Sequence, residues 1–241
     1  MKPKISCVTD KGLRRESNQD SFLVNQDLGL YIVADGMGGH QGGEVASALA
    51  VKTIEEVIER NRNSLTDPKR ILKEAYQEAS RRIYDLATTQ QTELLGMGTT
   101  MVLAYVVGPT IFIANVGDSR CYLFSEKQIW QITEDHSLIN EQIRGLGLTM
   151  DQAKAMVGRN VITRSVGYER QVEPDVFERE IVEGESYLLC SDGLTSLVSD
   201  REINEIFLNG EREKISDLCV EEALNKGGDD NVTVMLINFG D

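Results

Sequence analysis

The stretch YIVADGMGGHQGGE, residues 31–44, decides how the rest of the chain is read. Tyr31-Ile32-Val33-Ala34 is apolar or small and ends abruptly at Asp35. Five glycines then fall within residues 36–43, interrupted by Met37, His40 and Gln41, and an amphipathic helical pattern opens at Glu44. A buried strand that runs into a carboxylate and bare backbone has the form of a site, because glycine lets a ligand or ion approach main-chain carbonyls closely. Taken alone, the stretch also fits a strand-to-helix loop with an exposed Asp. The flanking sequence has to choose.

Upstream, residues 4–10 alternate weakly as a first strand, and the polar KGLRRESNQD (11–20) follows. Ser21–Val24 and Leu30–Ala34 are strands joined by the turn residues Asn25-Gln26-Asp27-Leu28-Gly29, a hairpin. Downstream, Val45, Leu49, Ile54, Val57 and Ile58 have helical spacing over 44–61. Thr66-Asp67-Pro68 starts a second helix that runs to about residue 90. Strands follow at 99–107, 110–116, 120–124 and 128–132. Residues 136–157 are helical in two pieces split by Gly145-Leu146-Gly147, and 160–168 are irregular. Strands at 172–181 and 185–190, helices at 200–208 and 211–225, and a last strand at 232–239 complete the chain. The expected fold is α+β in one domain over 1–241: two packed antiparallel sheets with a helix pair on each outer side, which uses every apolar face.

Position on strands then carries the chemistry. Asp35, Asp118 and Asp192 each follow a strand, and Asp20 and Asp230 each precede one. In antiparallel sheets the end of one strand lies beside the start of its neighbour, so all five acids gather at one end of the sandwich. The chain has two histidines, and its four cysteines are scattered without metal-ligand spacing, so oxygen ligands dominate and select the hard cations Mg²⁺, Mn²⁺ or Ca²⁺ over zinc or copper. Converging carboxylates repel one another without a cation. Two ions roughly 3.5–4 Å apart, sharing one Asp, can hold a hydroxide and clamp a phosphoryl group. Arg15, five residues before Asp20, offers the guanidinium fork that matches phosphate oxygens.

Composition narrows the class. A net charge of −14 argues against nucleic acid or an anionic membrane surface as partner. No run approaches the roughly 20 apolar residues of a membrane span. The opening MKPKISCVTDKG has no apolar signal core, so a cytoplasmic location is expected. The cysteines are expected to be buried thiols, and Trp130 to pack between elements.

The ordered blocks RESNQDSF (15–22), YIVADGMGGHQGGE (31–44), GMGTTMV (96–102), NVGDSRCYL (115–123), DHSLIN (135–140), ITRSVG (162–167), LLCSDGL (188–194) and GDDNVTVML (228–236) resemble the protein phosphatase 2C family. These are the metal-dependent Ser/Thr phosphatases, here in their compact bacterial form. The resemblance implies a four-layer αββα sandwich of two antiparallel sheets flanked by helix pairs. It implies that Asp35 bridges two core Mn²⁺ or Mg²⁺ ions, that Gly36 supplies a carbonyl ligand, and that Asp192 and Asp230 ligate the second ion. It further implies that Asp118 shares a third, weaker ion with Asp192, that Arg15 binds phosphate, and that His40 protonates the leaving alkoxide. Asp20 matches an acidic position that acts on the metals through water, and 137–168 matches a flap. Gln19 departs from the Glu of eukaryotic relatives and is not counted as a ligand.

The implied activity is hydrolysis of phosphoserine and phosphothreonine in proteins by a metal-bridging hydroxide, with no phosphoenzyme. The alternatives are a non-catalytic phosphatase-like binding module and a phosphatase of small phosphoesters. The expected partners are a phosphorylated protein substrate and a cognate Ser/Thr kinase with its targets, the protein itself being a monomer. Of the remaining polar residues, His136 is expected to anchor the flap, Arg164 to brace it, Arg14 and Arg120 to form salt bridges, and Thr99 and Thr100 to back the site.

Overall fold

In the computed structural model the described residues are 2–149, 152–153 and 161–240. One sheet places β1 (Lys4–Asp10), β11 (Val232–Asn238), β10 (Ser186–Cys190), β7 (Arg120–Ser125) and β8 (Gln128–Gln131) side by side in that order. The other places β2 (Asp20–Asn25), β3 (Leu30–Met37), β5 (Met101–Val107), β6 (Thr110–Val116) and β9 (Asp175–Glu180), with the short β4 (Gly98–Thr99) paired to the end of β3. The pairings between these strands are antiparallel.

Period-2 alternation sorts the side chains of each strand between two layers. On β3, Leu30, Ile32 and Ala34 pack under helices α1 (Gly39–Arg60) and α2 (Pro68–Asp85), with Ile54, Ile58, Leu72 and Tyr76. The alternate Tyr31 and Val33 face the other sheet, where Leu123, Tyr187, Leu189, Met235 and Ile237 meet them. The far face of that sheet packs Tyr122, Leu188, Val234 and Leu236 against Phe207, Cys219 and Ala223. The last three come from α5 (Asp200–Asn209) and α6 (Ile215–Asn225), which follow α3 (Leu138–Leu146) and the single turn α4 (Asp192–Thr195). Three apolar seams between four layers are the αββα sandwich expected from the pattern. Among the described residues no helix is long and apolar enough to cross a membrane.

Local boundaries depart from expectation in instructive places. Strand β3 continues through Asp35 and Gly36 to Met37, and α1 starts at Gly39 instead of Glu44. Glycine costs a helix about 1 kcal/mol relative to Ala, so propensity argued for a later start. Close packing overrides it: a Cβ on Gly36 would lie 2.0 Å from the Gly43 carbonyl oxygen. The expected strand at 99–107 is interrupted at Thr100, and the strand expected at 172 begins at Asp175. Helix α2 starts at Pro68, capped by the Asp67 side chain, and ends in a π-helical turn at Leu86–Gln90. Trp130 does not pack between elements; it is 57% exposed on the edge strand β8. All four cysteines are free, with Cys121, Cys190 and Cys219 buried and Cys7 half-buried. Of the expected second helical piece before residue 157, positions 150–151 and 154–157 lie outside the described residues.

Candidate functional site

The site forms where the inter-sheet layer changes chemistry. On β3 the face carrying Tyr31 and Val33 reaches Asp35 next. On β10, Tyr187 and Leu189 are followed by Ser191; on β11, Ile237 and Met235 are followed by Thr233 and then Asn231. Alternation therefore turns an apolar seam into a polar one at a single end of the sandwich.

The strand register brings Asp20 directly opposite Asp35. One oxygen of Asp20 accepts hydrogen bonds from Ser191 Oγ at 2.9 Å and Thr233 Oγ1 at 2.6 Å. Its other oxygen, Oδ1, is buried with no partner. Asp35 is held through its backbone: its carbonyl accepts from Thr100 N–H and from Thr99 Oγ1, both at 2.8 Å, and its N–H donates to Thr100 Oγ1 at 3.3 Å. Thr99 and Thr100 thus back the site as expected. Asp118 follows β6 across Gly117, whose φ is +103° and whose Cβ would lie 2.5 Å from Thr100 Cβ. Asp192 opens α4 with only Ser191 between it and β10, and only Asn231 separates Asp230 from β11.

Asp35, Gly36, Asp118, Asp192, Asp230 and Arg15 line one cleft of about 520 Å³, and the buried Oδ1 of Asp20 lies behind it. The Arg15 guanidinium reaches Asp230 Oδ2 at 2.6 Å, half exposed at the mouth. The ends Gly38 and Gly39 of α1 also line the cleft, so the positive pole of a long helix faces it. Through Met37 and Ile162, which line both hollows, the cleft continues into a groove of about 750 Å³ walled by Thr163, Arg164, Tyr168 and Val172. His40 lies in the first turn of α1; its side chain falls outside the described residues.

Electrostatics mark the same group. Burial, then repulsion from Asp20, Asp192, Asp118 and Asp230, pushes the Asp35 carboxyl well above the usual carboxylate range. Burial foremost pushes Asp20 up to about 6 and Asp118 up to about 7, with Asp192 adding repulsion at both. Asp192 is raised by burial and by Asp230, and lies within hydrogen-bonding reach of the Asp35 carboxyl. The hydrogen bond to Asp230 holds Arg15 more firmly protonated than usual.

This donor set fits hard divalent cations. It is made of oxygens, it is mutually repulsive, and it contains the unpartnered Oδ1 of Asp20. Among the described residues no three His, Cys, Asp or Glu side chains close a ligand cage by themselves. An ion here would take carboxylates in small number, completed by backbone oxygen and water, which is the habit of Mg²⁺.

Several working residues escaped the sequence reading. Asn231 Nδ2 donates to the carbonyls of Lys11 and Ser17 at 2.8 and 2.9 Å, and its Oδ1 accepts from Gln19 N–H at 2.8 Å. It ties the loop that carries Arg15 to the start of β11. Gln19, discounted as a ligand, instead donates from Nε2 to the Gly39 carbonyl at 3.0 Å and steadies the glycine segment. The only sequence signal for Asn231 was its place between Asp230 and the last strand. The salt bridges expected of Arg14 and Arg120 form with Asp229 at 2.8 Å and Asp135 at 2.7 Å.

A family model described as protein phosphatase 2C matches residues 7–232. The serine/threonine phosphatase stp of Listeria monocytogenes serotype 4b is 37% identical over 95% of this chain and 93% of its own length. Protein phosphatase PhpP of Streptococcus pneumoniae serotype 2 is 34% identical over 99% of this chain and 98% of its own. Among solved structures, the Mycobacterium tuberculosis serine/threonine phosphatase PstP/Ppp superposes with a TM-score of 0.90 at 32% identity, covering 99% of both chains. The catalytic domain of PstP in complex with 2 manganese ions gives 0.87 at 32% identity, again covering 99% of both chains.

Proposed function

The chain belongs to the protein phosphatase 2C family, and on that premise we propose that its acidic cleft removes phosphate from phosphoserine and phosphothreonine in proteins. The observation that carries the reading is the gathering of Asp35, Asp118, Asp192, Asp230 and Arg15 along one open cleft, with the buried Asp20 carboxyl close enough to repel Asp35. Asp35, the Gly36 carbonyl, Asp192 and Asp230 would hold two Mn²⁺ or Mg²⁺ ions, with Asp118 toward a third, weaker one. When bound, such ions supply positive charge for the phosphoryl oxygens and a water ionised at neutral pH as the nucleophile.

The chain's own groups do the rest. Arg15, standing at the cleft mouth beside Asp230, swings its fork onto the phosphoryl oxygens and orients the ester. The N-terminus of α1 adds backbone dipole toward the same anion. His40, in that first turn, donates a proton to the departing serine or threonine oxygen. Thr99 and Thr100 hold the Asp35 backbone still, and Ser191 with Thr233 fixes one oxygen of Asp20, leaving the other free to accept from a water on a bound ion.

The groove that continues past Met37 and Ile162 favours a polypeptide over a small phosphoester. On this reading the substrates are products of a cognate Ser/Thr kinase, met in the cytoplasm by a monomeric enzyme. A non-catalytic module would have shed the acids, and all five are present.

The test is turnover of a phosphothreonine peptide with Mn²⁺ and with EDTA, in the wild type and in Asp192→Ala. Activity confined to the metal-loaded wild type is expected. Turnover that survives chelation or the substitution would sink the reading.

A further inference from the structure

His136 is a buried side chain, 6% exposed, that the chemistry above leaves unused. Its backbone N–H donates to the Gly117 carbonyl at 2.9 Å, and its ring Nδ1 accepts the Gly117 N–H at 3.1 Å. One residue therefore holds both main-chain polar groups of the glycine that precedes Asp118. Because Gly117 donates to Nδ1, that nitrogen carries the lone pair and Nε2 carries the proton. Nε2 lies 3.1 Å from Asp175 Oδ2, so the carboxylate selects the tautomer that the turn requires.

The connection extends to the other wall of the cleft. The His136 carbonyl accepts from Thr163 N–H at 2.9 Å, one residue after Ile162, which lines the cleft. The second oxygen of Asp175 accepts from Arg164 Nη1 at 3.1 Å. Asp175 itself is anchored in register opposite Asn115 on β6, and Asn115 Nδ2 donates to the same Gly117 carbonyl at 3.2 Å. A glycine at φ +103° has wide conformational freedom of its own, and these contacts remove it.

We propose that His136 is a positioning residue: steadied by Asp175, it clamps the Gly117–Asp118 turn to the segment around Thr163 and so sets where the Asp118 carboxylate stands in the cleft. Partners that orient a metal-binding group typically change metal affinity 10- to 100-fold when lost. The proposal rests on the phosphatase reading only for its metal arm; the clamp itself is tested without metal.

Two near-isosteres separate the two ring nitrogens. In His136→Asn the side-chain oxygen can take the place of Nδ1 and keep the Gly117 bond. In His136→Gln the amide nitrogen can take the place of Nε2 and keep only the bond to Asp175. In the metal-free protein, hydrogen exchange of the Gly117 amide should quicken at least about tenfold in His136→Ala and His136→Gln, and stay near wild type in His136→Asn. By calorimetric Mn²⁺ titration, the weakest binding event should weaken about 10- to 100-fold in the same two variants, with recovery in His136→Asn and tighter events unmoved. Should the His136 variants fail to fold, Asp175→Ala, which frees the ring from outside, should show both effects in milder form. Equal behaviour of the Asn and Gln variants, or wild-type exchange and Mn²⁺ binding in His136→Ala or Asp175→Ala, would overturn the proposal. A wild type without Mn²⁺-dependent turnover would instead overturn the phosphatase reading, and the exchange experiment would still decide the clamp.

Discussion

The two ends of the inter-sheet layer share their strands and differ in everything else. Away from the cleft, Tyr187, Ile237 and Phe239 close the layer, Tyr187 meeting Phe239 edge-on at 5.9 Å between ring centroids. Toward the cleft, the same faces of the same strands carry Asp35, Ser191, Thr233 and Asn231. The apolar end gains roughly 25 cal/mol for each Å² it removes from water. The acidic end works against the metal-free fold, because burial and mutual repulsion raise Asp20, Asp35, Asp118 and Asp192 together. The apolar end fixes the backbone, and side chains at the other end are then free to be chosen for chemistry.

Substitutions at the two ends should therefore fail in opposite ways. The largest effect is expected for Asp35→Asn. Peptide turnover with Mn²⁺ should fall by at least about a hundredfold, while the melting temperature in EDTA should rise because a repelled, desolvated carboxylate is gone. A lower melting temperature would break the contrast. Next is Ile237→Ala at the apolar end, which should cost about 2–5 kcal/mol in urea unfolding and leave the turnover of folded molecules unchanged. A lost kcat there would show that the two ends are not separable.

Arg15→Ala should raise KM for the phosphopeptide roughly tenfold, since a charge-assisted bond to phosphate is lost. It should hardly move the melting temperature, because a half-exposed ion pair is worth about 0–1 kcal/mol. Arg15→Lys should recover only part of the loss, lacking the planar fork. Steady-state kinetics beside a thermal melt check both statements.

The smallest effect is a pH dependence. Burial, with repulsion from Asp192, pushes the Asp118 carboxyl up to about 7 in the folded protein, above the ordinary carboxylate range. A raised folded value means full stability below the unfolded value, lost progressively as pH rises through the folded one. Asp118→Asn removes that loss. Its melting temperature in EDTA should match the wild type near pH 4 and exceed it by a growing margin up to about pH 7. A constant difference across that window would contradict the burial and repulsion assigned to Asp118.

Much of this was readable in advance. The acids could be placed because each sits next to an apolar strand-like run, Asp35, Asp118 and Asp192 after one and Asp20 and Asp230 before one, and strand ends lie beside strand starts in antiparallel sheets. Asp20, Asp118, Asp192 and Asp230 needed only that rule. The details that escaped depend on partners distant in the chain. Asn231 binds Lys11 and Ser17, more than 200 residues away in sequence, and nothing beside it announces that. Helix α1 begins among glycines because Gly43 packs on Gly36, which reverses the local preference. Trp130, the one tryptophan of the sequence, is expected to pack between elements, yet it lies exposed on the edge strand β8.

The layers, and the end of the sandwich at which the acids collect, are legible from residue order alone. Both follow from side-chain period and strand order, which are local properties of the chain. Which oxygens face one another depends on how the sheets pack. Asp20 opposite Asp35, Arg15 against Asp230 and His136 around Gly117 are set by register and by close backbone approach. Those are relations between segments far apart in sequence, and they exist only once the sheets have packed.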